Sequence, residues 1–563
     1  LAGLSSISTG VLPTPVESVE EFKMGTSNQT ADFANSAGSQ VQMVTKRGTG
    51  RLHGSLYEYY YGSNVGAANT WRNNRTPDAR SGLPYTPLPS SHYNRFGATA
   101  GGPVIPKDFL GGKWFLFGNY EGYRYPNATT VVKVVPTELM RAGVIQVQNA
   151  AGKYVPYNLN PYPVTVKGIT YQPATCGPSN TPCDPRGIGL NPIVKQLWEK
   201  YMPLPNDPQA GDTANTQGYL TPIKLPETSN TFVARLDHDF GPMWHFMSSY
   251  RYYKYNAYGS DQYDIGGLLP GCKFGEACSV YTTPSQPWSM VFGLTTTLTN
   301  HLTNDVRFSY VRNLWAYASA MAPPQLPGLA GAIEIGGETA NALIPYNVNN
   351  QSVRAREWNG QDKAIRDDLS YLKGNHLFQF GGSYQRNLNQ MYRTDNGAGI
   401  MSALVYQIYD TGIQFTSAYQ PAGLPSSSLT PWNRLYAQVL GLVNQPQALF
   451  TRKLPDLTLN PVGTPMFPRA IIPFYNAYFT DTWHLRPKLT LTYGLGYMLE
   501  RPPYELSGQQ VITVDPDNKP LSVPAYLEAK KKAALAGQVY NPVIGMTLVR
   551  NVAGGLKLSL IHI

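Results

Sequence analysis

One stretch of this sequence alternates between apolar and small or polar residues so regularly that it constrains the fold of the whole chain. The apolar phase holds Leu489, Leu491, Tyr493, Leu495, Tyr497 and Leu499, and the other phase holds Thr490, Thr492, Gly494, Gly496 and Met498. Successive side chains of a β-strand point to opposite faces, so this stretch is predicted to be a strand with one apolar face. The residues before it repeat the pattern more weakly, and a turn is expected between the two halves at residues 484–487.

A hairpin of this kind fits either a soluble β-sandwich or a β-barrel in a membrane. Trp483 and the neighbouring tyrosines lie near the strand ends, where the aromatic girdle of a barrel meets the membrane interface. Only 14% of the 563 residues are charged, against roughly 25% in a typical soluble domain. The 39 Tyr, 53 Gly and 47 Pro residues indicate many strands and loops. No run of 18 or more apolar residues is present, so no membrane-spanning helix is expected.

The same alternation recurs along the chain and predicts eleven strands. The first strand stands alone, and the other ten form five hairpins. The predicted strands cover residues 51–62, 91–102, 113–124, 229–240, 243–255, 287–299, 302–315, 361–372, 376–387 and the two halves of 471–500.

The connections between these strands sort into two kinds. Those within hairpins are short, whereas those between hairpins are long. In an antiparallel meander alternate connections lie on the same side, so all short turns fall on one side and all long loops on the other. Barrels of the bacterial outer membrane have this asymmetry, with short periplasmic turns and long external loops. The fold is therefore predicted to be all-β, a partial transmembrane antiparallel β-barrel. Its long loops are predicted at 62–91, 124–228, 257–286, 316–359, 387–472 and 501–541.

The first 50 residues differ from the rest of the chain. Two short strands are predicted within 16–27 and 39–50, joined by a segment of small residues, and together they resemble the end of a small α/β domain. The long loops contain three stretches with helical spacing, at 191–201, 431–443 and 524–536.

The four cysteines form two local pairs. Cys176 lies close to Cys183, and Cys272 lies close to Cys278, each pair within a Gly/Pro-rich loop. Two local disulfides in an oxidising compartment are predicted. A metal site is the less favoured alternative, because the spacings are not CxxC and no His is close to either pair.

The sequence has no motif of a known catalytic or metal centre. GxSxG, HExxH and Walker A patterns are absent. No catalytic, cofactor or metal residue is therefore predicted. The net charge of +10 is attributed to solvated loops or to contact with anionic lipid headgroups, and no nucleic-acid partner is predicted.

Some histidines, carboxylates and tyrosines on or near the predicted strands have side chains suited to chemistry or binding. Isolated strand histidines are interpreted as surface or lumen residues, and the carboxylate pairs as solvated strand ends. Tyrosines near loops can stack on sugars or aromatic ligands, or pack on each other. The residues of these three groups are His53, His92, His238, His245 and His301, then Asp237/Asp239 and Asp367/Asp368, then Tyr252, Tyr253, Tyr255 and Tyr258.

Taken together, several segments resemble TonB-dependent outer-membrane receptors of the Oar-like type. Residues 31–60 are similar to the family's junction between the last plug strand and the first barrel strand, and 95–124 to its next hairpin. Further similar segments follow in the family's order at 135–143, 201–206, 229–241, 375–387 and 474–505.

The resemblance implies residues 1–50 as the C-terminal part of a plug domain and 51–563 as the N-terminal part of a barrel. The family's barrels have about 22 strands around a plug, so the chain is expected to be a fragment holding about half of one. The implied location is the outer membrane of a Gram-negative bacterium. The implied partners are outer-membrane lipid, the TonB–ExbB–ExbD complex through a missing N-terminal part, and an unknown extracellular ligand. No cofactor or enzymatic activity is implied.

The implied function is uptake of a scarce glycan, peptide or siderophore-like ligand by energy-coupled rearrangement of the plug. Two alternatives remain open. One is a structural or adhesive outer-membrane barrel without active transport, which the very long loops favour. The other is a secreted glycan-binding β protein, which the loop tyrosines and the cysteine pairs favour.

Overall fold

The described part of the chain consists mainly of β-strands. The computed structural model describes residues 12–25, 31, 40–63, 65, 68–71, 73–75, 77, 82–85, 88, 91–104, 113–260, 263–279, 282–317, 326, 328–329, 331–337, 341–346, 356–393, 405–408, 414–447, 451–454, 456–461 and 464–552. In chain order the strands are β1 Val19–Gly25, β2 Gln40–Thr45, β3 His53–Gly62, β4 His92–Pro103, β5 Lys113–Tyr125, β6 Ala128–Pro136, β7 Val144–Gln148, β8 Tyr154–Asn158, β9 Val164–Val166, β10 Ile169–Tyr171, β11 Thr175–Cys176, β12 Thr181–Pro182, β13 Thr216–Lys224, β14 Glu227–Phe240, β15 Trp244–Ala257, β16 Tyr263–Gly266, β17 Phe274–Ser279, β18 Trp288–Thr299, β19 Leu302–Tyr317, β20 Ala332–Ile335, β21 Arg356–Lys373, β22 His376–Arg393, β23 Val405–Ile408, β24 Val443–Gln447, β25 Arg469–Arg486, β26 Leu489–Glu500, β27 Tyr504–Glu505, β28 Val511–Val514 and β29 Gly545–Leu548.

Helices are few and short. The α-helices are α1 Glu138–Arg141, α2 Pro192–Tyr201, α3 Leu429–Leu440 and α4 Val523–Leu535, and 3-10 turns lie at Val16–Ser18, Asn73–Arg75, Ser417–Tyr419, Ser426–Ser428 and Val549–Asn551. The three predicted helical stretches are confirmed as α2, α3 and α4. In the described part of the chain, no helix combines the length and the hydropathy needed to cross a membrane.

The large antiparallel sheet has twelve strands, which are the eleven predicted strands and the two-residue strand β27 paired with the start of β25. Its order is β3, β4, β5, β14, β15, β18, β19, β21, β22, β25 and β26, so each strand pairs with the next in a simple meander. Within the described residues, β3 pairs with β4 alone and β26 pairs with β25 alone, which leaves two free edges. This is the topology of an up-and-down barrel wall that the described residues do not close.

The turns on one side of the sheet are short. Gly241 and Gly374 adopt positive φ angles of 77° and 59°, and each lies in such a turn. The last turn is Pro487–Lys488, and a bulge separates His484 from Arg486. The predicted turn at 484–487 therefore begins too early, because the bulged strand still pairs as far as Arg486. The expected turn through 103–112 lies outside the described residues, apart from its first two residues.

The two faces of the sheet differ sharply in polarity. On the face that we call outer, directly paired positions carry apolar and aromatic side chains, as at Leu56, Ala98, Tyr120, Phe232, Tyr252 and Trp288. On the inner face a neighbouring row is mostly polar, with Ser55, Thr99, Asn119, Val233, Arg251 and Ser289. The apolar phase of 489–499 lies on the outer face, because Leu495 pairs with Phe479 and Phe479 with Phe380.

The long connections on the other side fold into a unit with its own hydrophobic core. We call this unit the cap, made of the described residues within 126–226, 258–286, 326–346 and 405–447. It contains a four-stranded sheet in the order β16, β17, β13, β6 and a three-stranded sheet in the order β20, β23, β24. The chain's main buried apolar cluster lies here, not in the large sheet. It includes Val135, Met140, Ile145, Leu197, Trp198, Ile223, Ile265, Ile335, Ile344, Trp432 and Val439.

Two smaller units complete the described chain. Near the N-terminus β1 and β2 form an antiparallel hairpin, in the two regions predicted to be strands. The predicted joining segment lies outside the described residues, apart from Ala31. After β26, strands β28 and β29 pair with each other, and α4 lies between them with no buried residue.

Candidate functional site

The N-terminal hairpin lies against the inner face of the sheet. Arg251 of β15 donates to the hydroxyl of Thr45 at 2.8 Å and to the hydroxyl of Thr14 at 3.1 Å. Arg235 of β14 donates to the backbone oxygen of Thr45. Glu17 accepts a hydrogen bond from the hydroxyl of Tyr59 at 3.3 Å. The hairpin is therefore held by charged and polar groups of the sheet's inner face.

The contacts of the hairpin continue toward the short turns. Arg47, just after β2, lies 3.5 Å from Asp239 and stacks 5.1 Å from the ring centroid of Phe115. Asp239 also accepts from the ring of His245 at 2.9 Å. On the same face Arg235 holds Asp237 at 2.8 Å. Of the carboxylates interpreted as solvated strand ends, Asp239 therefore binds the N-terminal segment directly. Asp237 is buried, so that interpretation is wrong for it, and it orients Arg235.

A group of tyrosines covers the inner face beyond the hairpin, toward the cap. We call it the tyrosine cluster. The rings of Tyr61 and Tyr93 are stacked with centroids 5.2 Å apart, and Tyr93 lies 5.7 Å from Tyr123. The rings of Tyr253 and Tyr255 are parallel within 9° at 6.0 Å. The cluster consists of Tyr57, Tyr59, Tyr61, Tyr93, Tyr123, Tyr125, Tyr253 and Tyr255.

Charged groups are interleaved with these rings. Glu121 lies 3.8 Å from Arg95 and accepts from the hydroxyl of Tyr57 at 3.2 Å. Glu227 accepts from the hydroxyl of Tyr255 at 3.2 Å. Flat aromatic faces beside carboxylate, guanidinium and hydroxyl groups are the chemistry that binds sugar rings or aromatic ligands.

A glycine makes room for one ring of the cluster. The Tyr57 ring lies over Gly97 on the neighbouring strand, so closely that a Cβ at Gly97 would overlap its phenol group. The ring therefore lies flat along the wall, where its hydroxyl reaches Glu121. Such a glycine beneath an aromatic ring is a known way to fix strand register and sheet curvature.

The four tyrosines singled out in the sequence are separated by the alternation of β15. Tyr253 and Tyr255 belong to the tyrosine cluster. Tyr252 lies on the outer face, 6.2 Å from the ring of Phe232. Tyr258 follows the strand and is exposed. The six other members of the cluster lie on strands β3, β4 and β5, and no pattern within any one of these strands indicates that their rings come together.

Two of the five histidines have defined partners in the sheet. His238 is fully buried on the outer face, with its ring 3.9 Å from Trp114. His245 pairs with Asp239 on the inner face. No group of three His, Cys, Asp or Glu side chains is placed to hold a metal ion anywhere in the described residues.

One buried polar group on the outer face was not predicted from the sequence. Asp481 lies in phase with the apolar residues of β25 and is only 1% exposed. Its Oδ2 accepts from Tyr493 at 2.7 Å and bonds the ring of His376 at 2.8 Å. Trp483 stacks on His376 with ring centroids 5.1 Å apart. In the sequence, this site is indicated only by the position of Asp481 in the apolar alternation of β25, two residues before Trp483.

Two disulfides close short loops of the cap. The structure bonds Cys176 to Cys183, with both residues buried, and Cys272 to Cys278. The carbonyl oxygen of Cys183 accepts from the hydroxyl of Tyr436 at 2.6 Å, which ties the first disulfide to α3. The first bond is structural in this setting, because Cys176 and Cys183 are part of the buried core of the cap.

A buried arginine, Arg141, joins α1 to the C-terminal end of α2. The Arg141 guanidinium donates to the backbone oxygens of Met202 at 2.8 Å and Pro203 at 2.5 Å, and also to that of Trp198. These oxygens lie at the C-terminal end of α2, where carbonyl groups lack helical partners and favour a cation. Burial lowers the pKa of Arg141 to about 10, so the side chain is charged at neutral pH.

Asp184 and Arg186 connect the residues that follow the first disulfide to α3. Asp184 accepts from the backbone N–H of Gly189 at 2.7 Å and from Nε of Arg186 at 2.9 Å, and Arg186 also donates to the last carbonyl of α3, that of Leu440. Burial acts to raise the pKa of this carboxyl, but the hydrogen bonds from Arg186 and the backbone outweigh it, and the pKa lies below its ordinary value.

The lowered pKa of Asp184 predicts an acid-sensitive cap. Because the folded state binds this proton less well than the unfolded state, the group stabilises the cap above its ordinary pKa of 3.8, and that stabilisation is lost as the pH falls below it. Hydrogen exchange of peptides within 176–202, corrected for its intrinsic pH dependence, should show protection falling below about pH 4. Asp184→Asn should give weaker protection at pH 7 and a smaller acid-dependent loss. Equal acid-dependent loss in both proteins would contradict the assignment.

Comparison with known proteins agrees with this fold. A family model for the outer membrane beta barrel domain matches residues 44–553, and the chain therefore belongs to this family. It is an outer-membrane protein of a Gram-negative bacterium, so the secreted alternative is wrong. A search of the curated proteins found no match.

Several solved structures align with the chain at low identity. The outer membrane transporter YddB from Escherichia coli is 9% identical over 87% of this chain and 44% of its own, with a TM-score of 0.44. The ferripyoverdine receptor of Pseudomonas aeruginosa is 10% identical over 84% of this chain and 41% of its own, with a TM-score of 0.38. The siderophore receptor PirA from Acinetobacter baumannii is 10% identical over 89% of this chain and 46% of its own, with a TM-score of 0.38. The chain spans less than half the length of these three structures.

Proposed function

We propose that the chain is a piece of a TonB-dependent outer-membrane receptor that takes up a scarce ligand. In this proposal residues 1–50 are the end of the plug domain, and the remainder is half of the barrel with its extracellular loops. The observation that carries the proposal is the hairpin held on the polar inner face by Arg235 and Arg251. A barrel whose interior is occupied in this way is a gated passage and not an open pore.

The contacts of the hairpin suit a part that moves. They are hydrogen bonds and a partly exposed ion pair, Arg47 with Asp239 at 3.5 Å, and not an apolar core. Exposed ion pairs contribute little stability, about 0–1 kcal/mol each. Ligand binding shifts such an equilibrium only by its differential affinity for the two states, so an external energy source is needed to complete the movement. The TonB–ExbB–ExbD complex supplies it in this proposal.

The ligand is proposed to be captured by the cap and the tyrosine cluster. Its chemical classes are glycan, peptide and siderophore-like compounds, all of which offer flat or hydroxylated groups to tyrosine rings. Neither surface is proposed to perform catalysis.

Uptake by intact cells tests the proposal. Cells making the full-length receptor would be given three probes, an iron-55-loaded siderophore, a fluorescent oligosaccharide and a fluorescent peptide, with and without a functional tonB gene. Accumulation of at least one probe should need both the receptor and TonB. Accumulation that needs the receptor but persists without TonB would overturn energy coupling.

A structural or adhesive barrel is the second candidate. The observation that favours it is the size of the cap, which has two sheets and a core of its own. If none of the probes entered the cells, while deletion of the cap abolished attachment to surfaces or to other cells, this alternative would replace transport.

A further inference from the structure

The outer face of the sheet carries a cluster of cations at its cap side. Lys363 of β21 and Arg386 of β22 are direct cross-strand partners, and both lie on the outer face. Arg312 of β19 lies on the same face one row nearer the cap, opposite Gln361. We call these three residues the cation cluster.

The central pair of this cluster is unfavourable by itself. The Cβ atoms of directly opposed residues in an antiparallel sheet are about 5 Å apart, and like charges at such positions destabilise the sheet. Within the described residues, no carboxylate lies within ion-pair distance of Lys363, Arg386 or Arg312. Arg312 donates to a neutral group, the amide oxygen of Asn359, at 2.9 Å. Among the described residues, the arrangement therefore lacks a counter-anion of its own.

The distance of the cation cluster from the short-turn end of β21 matches the thickness of a membrane. Toward the short turns, the outer face of β21 continues with Ile365, Asp367, Leu369 and Tyr371. The carboxylate of Asp367 accepts from the amide of Asn304 at 2.6 Å, and the strand ends at Lys373. The ten residue steps from Lys363 to Lys373 extend about 33 Å along a strand. At the usual barrel tilt of about 40° this corresponds to a height of about 25 Å, the thickness of the apolar band of outer-membrane barrels.

Aromatic residues lie beside the cluster, in its own rows and in the next row toward the short turns. Lys363 lies 5.8 Å from the ring centroid of Tyr310, which itself lies 4.8 Å from Trp288. Tyr384, two residues from Arg386, lies 5.1 Å from Tyr475. Such rings form the girdle at the interface, so the three cations lie at the cap-side border of the apolar band, where it meets the headgroups.

We propose that the cation cluster binds the phosphate groups of an anionic glycolipid in the outer leaflet of the outer membrane. The guanidinium groups bind phosphate oxygens through paired N–H donors, and the ammonium group adds a point charge. A phosphate between Lys363 and Arg386 converts the repulsive pair into an anion site. The choice of leaflet rests on the orientation in the proposed function, in which the cap is extracellular.

The test uses the full-length receptor in detergent, with native mass spectrometry as the readout. The probes are lipopolysaccharide, the same lipopolysaccharide after removal of its lipid A phosphates, and phosphatidylglycerol. The wild-type receptor should retain the phosphorylated lipopolysaccharide. The double variant Lys363→Gln/Arg386→Gln should bind it at least tenfold more weakly, which is about 1.4 kcal/mol at 25 °C.

Two variants control for folding and for general charge. Lys373→Gln removes a cation from the same face of the same strand at the other membrane surface, and should leave binding unchanged. The exchange Lys363→Arg/Arg386→Lys keeps both charges and should bind as the wild type does. Equal binding by the double glutamine variant, or equal binding of the dephosphorylated lipid, would overturn the proposal.

The remaining outcomes distinguish a glycolipid phosphate from other sources of phosphate. They also distinguish failure of the proposed transport from failure of the proposed lipid site. Preference for phosphatidylglycerol would place the cluster in the other leaflet, and displacement of the lipid by millimolar inorganic phosphate would indicate a site for free phosphate. Either outcome overturns the assignment to the outer leaflet glycolipid. Glycolipid binding without TonB-dependent uptake overturns only the proposed transport, whereas uptake without glycolipid binding overturns only this inference.

Discussion

Arginine at position 308 should destabilise the barrel in the membrane by about 1–3 kcal/mol, because it places a charge on the lipid-facing side, inside the apolar band between its middle and its cap-side edge. Phe308 lies on the outer face of β19, 41% exposed, between Phe292 and Ile365 on the neighbouring strands. The free energy of unfolding of the full-length receptor in lipid vesicles measures the effect. The fraction that migrates as a folded barrel on unheated gels reports assembly in cells.

The adjacent residue provides a matched control. Ser309 lies on the inner face, so Ser309→Arg adds the same side chain one position away in a polar environment. We expect it to assemble nearly as well as the wild type. The same contrast holds on β26, where Leu491→Arg and Leu495→Arg should each assemble poorly and Thr492→Arg should not. Equal losses for both members of these comparisons would show that the assignment of the two faces is wrong.

Replacement of Trp198 by alanine should destabilise the cap by about 3–5 kcal/mol. Trp198 is fully buried on α2, and its indole N–H donates to the backbone oxygen of Leu343 at 3.0 Å. The substitution opens a large cavity in the core and leaves that oxygen without its indole donor. It also loosens the contact between two connections that are 145 residues apart in sequence.

Hydrogen exchange of the cap measures this effect locally. Trp198→Ala should increase exchange in peptides within both 192–202 and 341–346, because both sides of the contact lose their support. Ile193→Ala on the same helix is the control, since Ile193 is 40% exposed and its replacement should change stability by less than about 0.5 kcal/mol. If Trp198→Ala affected only its own helix, the cap would not be a single packed unit.

The large sheet could be predicted from the sequence because its signal is local. The alternation around Leu495 or Phe292 identifies a strand and its apolar face without knowledge of any partner. Register then follows from short turns, as at Gly374, which leaves little freedom in the pairing. The start of the last turn was misplaced only because the bulge near His484 adds a residue that alternation does not show.

The cap could not be predicted because its contacts are distant and its pattern is weak. The hydroxyl of Tyr436 reaches the carbonyl of Cys183 from 253 residues away, and Ser428 reaches Gln148 across 280 residues. The strands of the cap are short, so alternation along any one of them is brief. The sequence therefore indicated α2, α3 and the cysteine pairs, but not that α2, α3 and the first disulfide share a core.

The inner face was only partly predictable for the same reason. The sequence identified polar phases on individual strands, but the contact of Arg251 with Thr45 joins residues 206 positions apart. The tyrosine cluster combines strands on both sides of the long connection between Tyr125 and Glu227. Its membership follows from the order of strands in the sheet, which the meander implies, and from the register, which only the structure supplies.

The central claim is that the N-terminal hairpin occupies the interior of a barrel to which this chain contributes half the wall. Ion conductance of the full-length receptor in planar lipid bilayers tests it without knowledge of the ligand. The intact receptor should conduct potassium chloride weakly or not at all, whereas a variant that lacks everything before Arg51 should show large, stable channels. Equal conductance of the two proteins would contradict the claim, because the hairpin would then not obstruct the passage.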